Sequence, residues 1–290
     1  MPIYEQSYRE YDGELRHKYR WVIIIQQELR VLIKSKFFLM MMLFAMLHVI
    51  LRLLQVTAYD VIAQDPNSPL ALAFSQIADF AVDNLLFFDF IRIQSPVVFL
   101  VVLFAGSGMI CNDFNNNLVD VYFAKPITWR DYAIGKIGTL VLIGLVLTAV
   151  PGIILVGVHN MLLPGLETVK ESWVWIPAIL GFSLVIILPC VTAVLASSAL
   201  IKSKNFAAIS IFMLLMANSA FGATLAGVLR NPNYFVWAFP LTINRLGQVM
   251  FKDTRLIFQT HWMWSLAIVA VVTGVSTLIV CMKIRRAEVA

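Results

Sequence analysis

Charged side chains are scarce in this chain, since only 13% of the 290 residues are Asp, Glu, Lys or Arg. Soluble domains carry about 25% charged residues and about 45–50% apolar ones. Here 60% of the residues are hydrophobic, and the mean hydropathy is +0.82. The composition therefore excludes an ordinary soluble domain and predicts an integral membrane protein.

The chain also lacks the short motifs of several enzyme classes. It has no G-x-x-x-x-G-K-[ST] phosphate loop, no H-E-x-x-H zinc motif and no G-x-S-x-G nucleophile elbow. Its four histidines and three cysteines form no metal-binding spacing. We read Cys111, Cys190 and Cys281 as small apolar fillers. No catalytic, cofactor-binding or metal-binding residue is expected, and the chain by itself is expected to hydrolyse no ATP.

Long apolar runs take the place of these motifs. A membrane-spanning helix needs about 20 predominantly apolar residues, and the runs are continuous rather than alternating as in barrel strands. Six spans are expected at about 37–57, 95–111, 134–158, 174–200, 206–229 and 262–282. The fold class is thus all-α and integral to the membrane. One six-span domain covers residues 37–290, preceded by a cytoplasmic segment at 1–36.

The distribution of Lys and Arg predicts how the spans are oriented. With six spans, both termini share one side of the membrane with the loops at 112–136 and 201–205. That side holds most of the basic residues, as the cytoplasmic side does in membrane proteins. Both termini are therefore expected in the cytoplasm, with the chain in a cell membrane of the bacterial inner-membrane type. The net charge of +5 reflects this topology, and no nucleic-acid partner is expected.

An amphipathic helix is predicted before the first span, over residues 21–34. One face holds Val22, Ile25, Leu29, Leu32 and Ile33, and the other holds Gln26, Gln27, Arg30 and Lys34. Because Lys34-Ser35-Lys36 interrupts the apolar pattern, we expect an elbow that lies in the membrane interface with its basic face toward lipid head groups. The alternative is a simple inward extension of the first span.

Two outer segments are too long for simple turns. Residues 70–88 show apolar residues near helical spacing, which predicts an amphipathic helix on the outer membrane surface. A cation site at Asp79, Asp83 and Asp89 is the less favoured alternative, because no second cluster of oxygen ligands lies close in sequence. Residues 230–261 are rich in aromatics and contain two prolines, so we expect a re-entrant or interface-lying hairpin before the last span.

Few polar groups interrupt the spans. His48 and Arg52 lie four residues apart in the first span and share a helical face. Asn218 and Ser219 are the corresponding polar pair in the fifth span. Because ionisable groups inside spans commonly serve function, these four residues form the candidate translocation path. For Arg52 we favour the simpler interpretation that its side chain snorkels to the outer membrane surface.

Small residues follow in the fifth span. Gly222 and Ala226 form one small-x-x-x-small pair, and Ala223 and Gly227 form a second. Such pairs allow two helix backbones to approach closely. They predict tight packing, either within the monomer or across a dimer.

The polar loop at 112–136 carries the most informative pattern of the chain. Its Lys125-Pro126-Ile127, Trp129-Arg130-Asp131-Tyr132 and Gly135-Lys136 resemble the K-P-[IV]-[ST]-R-x-x-[YF]-x-x-G-K loop of type-2 ABC exporter permeases. The layout of elbow, six spans and hairpin is also similar, and Phe239-Pro240-Leu241-Thr242 resembles the N-P-L-T step of that hairpin. The chain departs at 112–120, where NDFNNNLVD replaces the acidic-Arg-Glu-Gly stretch of many members.

The resemblance implies a permease subunit of an ATP-driven exporter. It implies a separate ABC-type ATPase subunit that binds ATP and magnesium, and a second permease that is a copy or a paralogue. A short helix within 112–132 would lie in a groove of the ATPase, and Pro126 would suit the first turn of a helix. The coupling residues would be Phe114, Tyr122, Phe123, Lys125, Pro126, Trp129, Arg130 and Asp131, since aromatic side chains dominate interface hot spots.

Two other functional classes stay open. A secondary transporter or channel that works alone typically has broken spans and buried acids in an inverted repeat, and no such repeat is seen. A membrane scaffold or mechanotransmission subunit would use the same architecture to transmit motion without moving a substrate.

Overall fold

The computed structural model describes residues 19–64, 69, 81–163, 165–256 and 258–289. Within these ranges the chain is helical, with connecting turns and no strand. Six helical segments are long and apolar enough to cross a membrane: Lys36–Ile62, Asn84–Asn115, Trp129–Leu162, Trp175–Leu200, Lys204–Val228 and Trp262–Glu288. The prediction of an all-α membrane protein with six spans is confirmed.

The helices are numbered in chain order. They are α1 (Arg20–Ile33), α2 (Lys36–Ala63), α3 (Asn84–Gly106), α4 (Cys111–Asn115), α5 (Leu118–Phe123), α6 (Trp129–Leu147), α7 (Ala149–Leu162), α8 (Leu166–Trp173), α9 (Trp175–Leu200), α10 (Lys204–Val228), α11 (Phe239–Met250) and α12 (Trp262–Val289). A 3₁₀ helix, Pro232–Trp237, precedes α11.

Three spans form the centre of the molecule and three lie outside them. The apolar windows of the spans at α3, α6–α7 and α9 are 61%, 50% and 56% buried. Those of α2, α10 and α12 are only 11%, 11% and 17% buried. Large apolar side chains such as Leu43, Met213 and Leu278 consequently stay exposed on the outer helices. These faces suit lipid or a second membrane subunit.

The second span starts earlier than the predicted residue 95. α3 already begins at Asn84, where the Asp83 carboxylate caps the helix by accepting two backbone N–H bonds of 3.0 Å. The added stretch contains two charged residues, Asp89 and Arg92. In the structure Asp89 and Arg92 pair with each other at 2.9 Å, and this mutual pairing lowers the cost of placing either charge near the membrane.

The predicted outer helix at 70–88 falls partly outside the described residues, which omit 70–80. Residues 84–88 belong to the first turns of α3 rather than to a separate surface helix. Of the three aspartates, Asp79 is not described, Asp83 caps α3 and Asp89 is paired with arginine.

The third span breaks in the middle, although we predicted a continuous helix. α6 ends at Leu147 and α7 begins at Ala149, with Thr148 between them at φ −123° and ψ −70°. Pro151 explains the break, because its ring clashes with the carbonyl four residues earlier and it has no N–H to donate. The Thr148 hydroxyl donates to the carbonyl of Gly144 at 2.9 Å, which satisfies the hydroxyl inside the core.

The N-terminal helix forms as predicted, and the first 18 residues of its segment lie outside the described ranges. α1 ends at Ile33, and Ser35 begins α2 by accepting a hydrogen bond from the N–H of Phe38 at 3.4 Å. The polar face predicted for α1 is exposed, whereas Ile33 of its predicted apolar face is 56% exposed. Whether α1 lies in the membrane interface stays a prediction.

The segment before the last span folds back against α10. Asn218 on α10 bridges to it, donating to the carbonyl of Trp237 at 3.0 Å and accepting from the N–H of Phe239 at 2.8 Å. Gly222 lies one turn further along α10, and a Cβ there would lie 2.5 Å from the backbone nitrogen of Ala238. Thr242 closes the turn by hydrogen bonds to the carbonyls of Val236 and Ala238.

A charged cluster joins the loop after α11 to the start of the second span. Arg255 donates to Asp253 at 3.0 Å and to Asp89 at 3.2 Å. Burial alone would raise the pKa of Asp253, but the hydrogen bonds from Arg255 outweigh that effect and hold the pKa below its ordinary value. The hydrogen bond to Asp253 likewise raises the pKa of Arg255. Asp253 and Arg255 therefore stay charged near neutral pH.

Candidate functional site

The loop motif identified in the sequence begins with the cap of α6. The Thr128 hydroxyl accepts from the N–H of Asp131 at 3.3 Å, and the Asp131 carboxylate accepts from the N–H of Thr128 at 3.2 Å. This reciprocal capping box satisfies two backbone donors that the first helical turn leaves unpaired. Asp131 thereby starts α6 at Trp129 and directs the next motif residues, Tyr132 and Lys136, to one face of the helix.

Lys136 is fully buried and holds the centre of an ionic network. Its Nζ lies 2.6 Å from Glu28 Oε1 on α1 and 2.6 Å from Asp113 Oδ2 on α4. Nζ also donates to the carbonyl of Met109 at 3.1 Å. Tyr132 donates its hydroxyl to the same Asp113 oxygen at 2.6 Å. We call Glu28, Asp113, Tyr132 and Lys136 the Lys136 network.

Two aromatic rings lie against the ammonium group at the centre of the Lys136 network. The Lys136 ammonium lies 5.2 Å from the ring centre of Tyr132 and 5.9 Å from that of Tyr122, within cation–π range. Burial raises the pKa of Tyr122, and the carboxylates of Asp113 and Glu28 add to this while Lys136 opposes it. Tyr122 therefore stays neutral at any physiological pH.

The network ties together three separate parts of the chain. Glu28 comes from α1, Asp113 from the start of the loop and Lys136 from α6. A buried charge is costly unless it is paired and hydrogen-bonded, so each member constrains where the others can lie. The loop cannot move far from α6 and α1 without leaving a buried charge unpaired.

Glycines of α6 allow α1 to come close enough for this pairing. A Cβ at Gly135 would lie 2.7 Å from the Cβ of Ile24, and one at Gly138 would lie 2.8 Å from Cδ1 of Ile25. The Gly-Lys step of the motif therefore has a physical explanation in this chain. Gly135 admits α1, and Lys136 binds the carboxylate that α1 carries.

The start of the loop is also attached to the central helix α9. The Ser198 hydroxyl accepts hydrogen bonds from the N–H groups of Ile110 and Cys111, both at 3.1 Å. Further along the loop, Asn115 donates to the carbonyl of Lys202 at 2.6 Å. These contacts hold α4 at the end of the helical bundle and leave α5 as the outermost helix of the loop.

The aromatic coupling residues predicted from the sequence lie partly inward. Side chains of Phe114, Tyr122, Phe123 and Trp129 are half-buried and pack against the core. The Arg130 guanidinium lies 5.3 Å from the ring centre of Trp129. The contacts place these rings between the loop and the bundle, where they set the position of the loop.

Other side chains form the outer surface of the loop. Leu118 and Val121 of α5 are 42% and 55% exposed, and Lys125, Pro126 and Arg130 are exposed nearby. We call Leu118, Val121, Lys125 and Arg130 the docking face. Pro126 lies in the turn before α6 and not in the first turn of a helix, so that expectation was wrong. The reason is the Thr128 cap, which makes Trp129 the first helical residue.

A groove separates the loop from the last helix, α12. It has a volume of about 360 Å³ and is lined by Phe114, Asn117, Val119, Asp120, Lys283, Arg286 and Ala287. Lys283 lies 5.3 Å from the ring centre of Phe114, and the N–H of Trp129 donates to Glu288 at 3.2 Å. The end of α12 therefore forms one wall of the groove and contacts the loop.

The candidate translocation residues have local partners. His48 Nδ1 lies 2.8 Å from Gln94 Oε1, and Gln94 also donates to backbone carbonyls of α2 and α6 inside the core. Arg52 donates to Gln55 at 2.7 Å, one turn along α2. Asn218 bridges to the hairpin as described above, and Ser219 donates to the carbonyl of Leu215 at 2.9 Å. Their role in a path stays a prediction.

Sequence reasoning did not single out Glu28 or Asp113. Glu28 had a detectable signal, because it lies three residues after Ile25 and four before Leu32 on the apolar face of α1. An acid on an apolar face predicts a buried cationic partner. Asp113 had no comparable signal within a short polar loop.

Comparisons with known proteins add no family. No protein-family model matches the chain, and no curated protein matches it. Over the described residues, the fold defines the class as an integral membrane protein with six helical spans and a structured loop between the second and the third.

Proposed function

We propose that this chain is the permease subunit of an ATP-driven transporter of the type-2 ABC exporter class. The observation that carries the proposal is the Lys136 network, in which the loop residues that resemble that class connect the loop to α1 and α6. Such a connection is what a subunit needs if force applied to its loop is to move its spans.

The proposed mechanism divides the work between two kinds of subunit. A separate ABC-type ATPase binds ATP and magnesium and presses on the docking face when it closes. Because Lys136 and Tyr132 attach the loop to α6, and Glu28 attaches α1 to the same point, the push reaches both helices together. The half-buried rings of Phe123 and Tyr122 pack against the core. They move with it, because separating these apolar contacts would cost free energy.

A second permease, identical or paralogous, completes the proposed assembly. The outer helices α2 and α10 have windows only 11% buried and so leave apolar faces for it. Of the two small-residue pairs on α10, Gly222 and Ala226 are used inside the monomer. Ala223 and Gly227 are exposed, and we place them at the contact between permeases.

Val121→Asp is expected to weaken binding of the ATPase about tenfold, equivalent to about 1.4 kcal/mol. The substitution replaces an apolar contact of the docking face by a carboxylate, which must lose water when the interface forms. The measurement is recovery of the ABC-type ATPase with the tagged chain in one detergent, read as a titration against ATPase concentration.

Asp120→Ala is the matched control, because Asp120 is exposed on the same helix but faces the groove to α12. It should retain the parent affinity. Equal affinity of parent and Val121→Asp would show that the docking face does not bind the ATPase, and it would favour an ordinary cytoplasmic turn.

Cysteine labelling is expected to place Lys125 and Lys202 on one side of the membrane and Asn231 on the other. In a chain without its three native cysteines, Lys125→Cys and Lys202→Cys should react with an impermeant maleimide only after permeabilisation. Asn231→Cys, exposed between α10 and the hairpin, should react in intact cells. The expectation follows from the Lys and Arg bias of the loops, and the reverse pattern would invert the proposed topology.

A further inference from the structure

A second buried acid–base pair lies apart from the Lys136 network, near the C-terminal end of α2. Asp60 Oδ1 lies 2.8 Å from Nδ1 of His159 on α7. The residues are 0% and 5% exposed, so both are enclosed by the protein. The other carboxylate oxygen of Asp60, Oδ2, is buried and has no hydrogen-bond partner among the described residues.

The surroundings of this pair are apolar and aromatic. The imidazole of His159 lies 5.7 Å from the ring centre of Trp175, and Val56 of α2 is fully buried one turn away. The helices α7 and α9 carry no other charged residue. On the neighbouring elements with described side chains, Asp89 and Arg92 of α3 pair with each other, Arg52 of α2 is bonded to Gln55, and Lys170 of α8 is exposed.

The charge of the pair depends on one proton. Without it, a carboxylate beside a neutral imidazole leaves a net charge of −1 in apolar surroundings. With it, an imidazolium faces a carboxylate and the net charge is zero. A low-dielectric site favours the state without net charge, and an imidazole binds a proton more tightly than a carboxylate does.

We infer that Asp60 and His159 form a proton-binding site that controls how firmly α2 is held against α7. One proton from the aqueous phase binds to His159 and returns to that phase on release, with no other bond made or broken. Gln64 adds one further tie between these helices, donating to the carbonyl of Leu162 at 3.1 Å. Release of the proton leaves an uncompensated carboxylate whose Oδ2 has no partner among the described residues, which favours entry of water and separation of the helices.

The site lies on a helix that is well placed to move. The apolar window of α2 is only 11% buried, so few contacts oppose its displacement. The inference is independent of the proposed ABC-type function, because it uses only the pair and the helices that carry it.

Trp175 supplies a reporter within the site. A protonated imidazole quenches indole fluorescence more strongly than a neutral one. Because His261 also stacks on Trp262, with ring centres 5.7 Å apart, every chain in this experiment carries His261→Gln. In that background the emission of the purified chain should rise in one step as pH increases. Trp175→Phe removes the reporter without touching the pair and should abolish the step. His159→Gln should abolish it as well.

Asp60→Asn tests whether the two residues share the proton. Without the carboxylate the imidazolium loses its partner, so the step should move to lower pH by about one unit or more, a tenfold or greater loss of proton affinity (about 1.4 kcal/mol). An unshifted step would mean that His159 titrates alone, and the paired site would be overturned.

Two further outcomes would also overturn the proposal. One is the absence of a step in the parent chain between about pH 4.5 and 9.5, the range in which a histidine switch operates. The other is a step that persists in Trp175→Phe. Because this last variant keeps both members of the pair, it remains informative if the substitutions at Asp60 or His159 prevent folding.

Discussion

Lys136→Met is expected to lower the free energy of unfolding by about 3–5 kcal/mol, the cost of leaving a buried charge without its partner. Two carboxylates, Glu28 and Asp113, lose their shared ammonium while their side chains remain 15% and 10% exposed. Methionine keeps the length and apolar stem of lysine, so packing against α1 is largely retained. The measurement is thermal unfolding of the purified chain in one detergent, followed by near-UV circular dichroism.

Lys125→Met serves as the matched control, because Lys125 is an exposed lysine in the same loop. It should change stability by less than about 0.5 kcal/mol, as exposed substitutions usually do. The triple variant Glu28→Gln, Asp113→Asn, Lys136→Met removes all three charges and should recover most of the lost stability. A Lys136→Met chain as stable as the parent would show that the network does not hold the loop.

Gly222→Ala is expected to destabilise the contact between α10 and the hairpin by about 1–3 kcal/mol, the usual cost of overpacking. The added methyl would lie 2.5 Å from the backbone nitrogen of Ala238 and 2.8 Å from its Cα, so the backbone itself must shift. The shift also strains the hydrogen bond that Asn218 donates to Trp237 and the one that it accepts from Phe239. Limited proteolysis of the hairpin in detergent should show faster cleavage than in the parent.

Gly274→Ala on α12 is the control, since a Cβ there has no atom of the described chain within 4 Å. It should leave cleavage unchanged and should stabilise α12 slightly, because alanine is favoured over glycine in a helix by about 1 kcal/mol. Cleavage at the parent rate in Gly222→Ala would mean that the hairpin is not held by this close approach.

The predicted spans differ from the observed ones for two physical reasons. Hydropathy assigns each charge its cost as an isolated group, which disfavours a span through Asp89 and Arg92, yet the helix begins at Asn84. Their pairing at 2.9 Å depends on the helix being formed. Pro151 was visible in the sequence, but a proline can either kink or break a helix, and the structure shows the break, at Thr148.

In the loop, too, the sequence predicted some features and the structure decided others. Its aromatic residues marked it as important, yet whether each ring points toward a partner or toward the bundle depends on the helix that carries it. Leu118 and Val121, which drew no attention in the sequence, form the exposed surface. Phe123 and Trp129 pack inward because α5 and the Thr128 cap orient them toward the bundle.

The sequence by itself determined the class of this protein, the number of its spans and the helix that precedes them, because apolar length and helical periodicity are local properties of the chain. It also located the loop at 112–136 by its contrast with the runs beside it. Only the tertiary structure decided the pairings Glu28–Lys136–Asp113 and Asp60–His159, because it brings together residues that are distant in the sequence. A buried charge is tolerated only beside its partner, and which groups become partners is settled by how the helices pack.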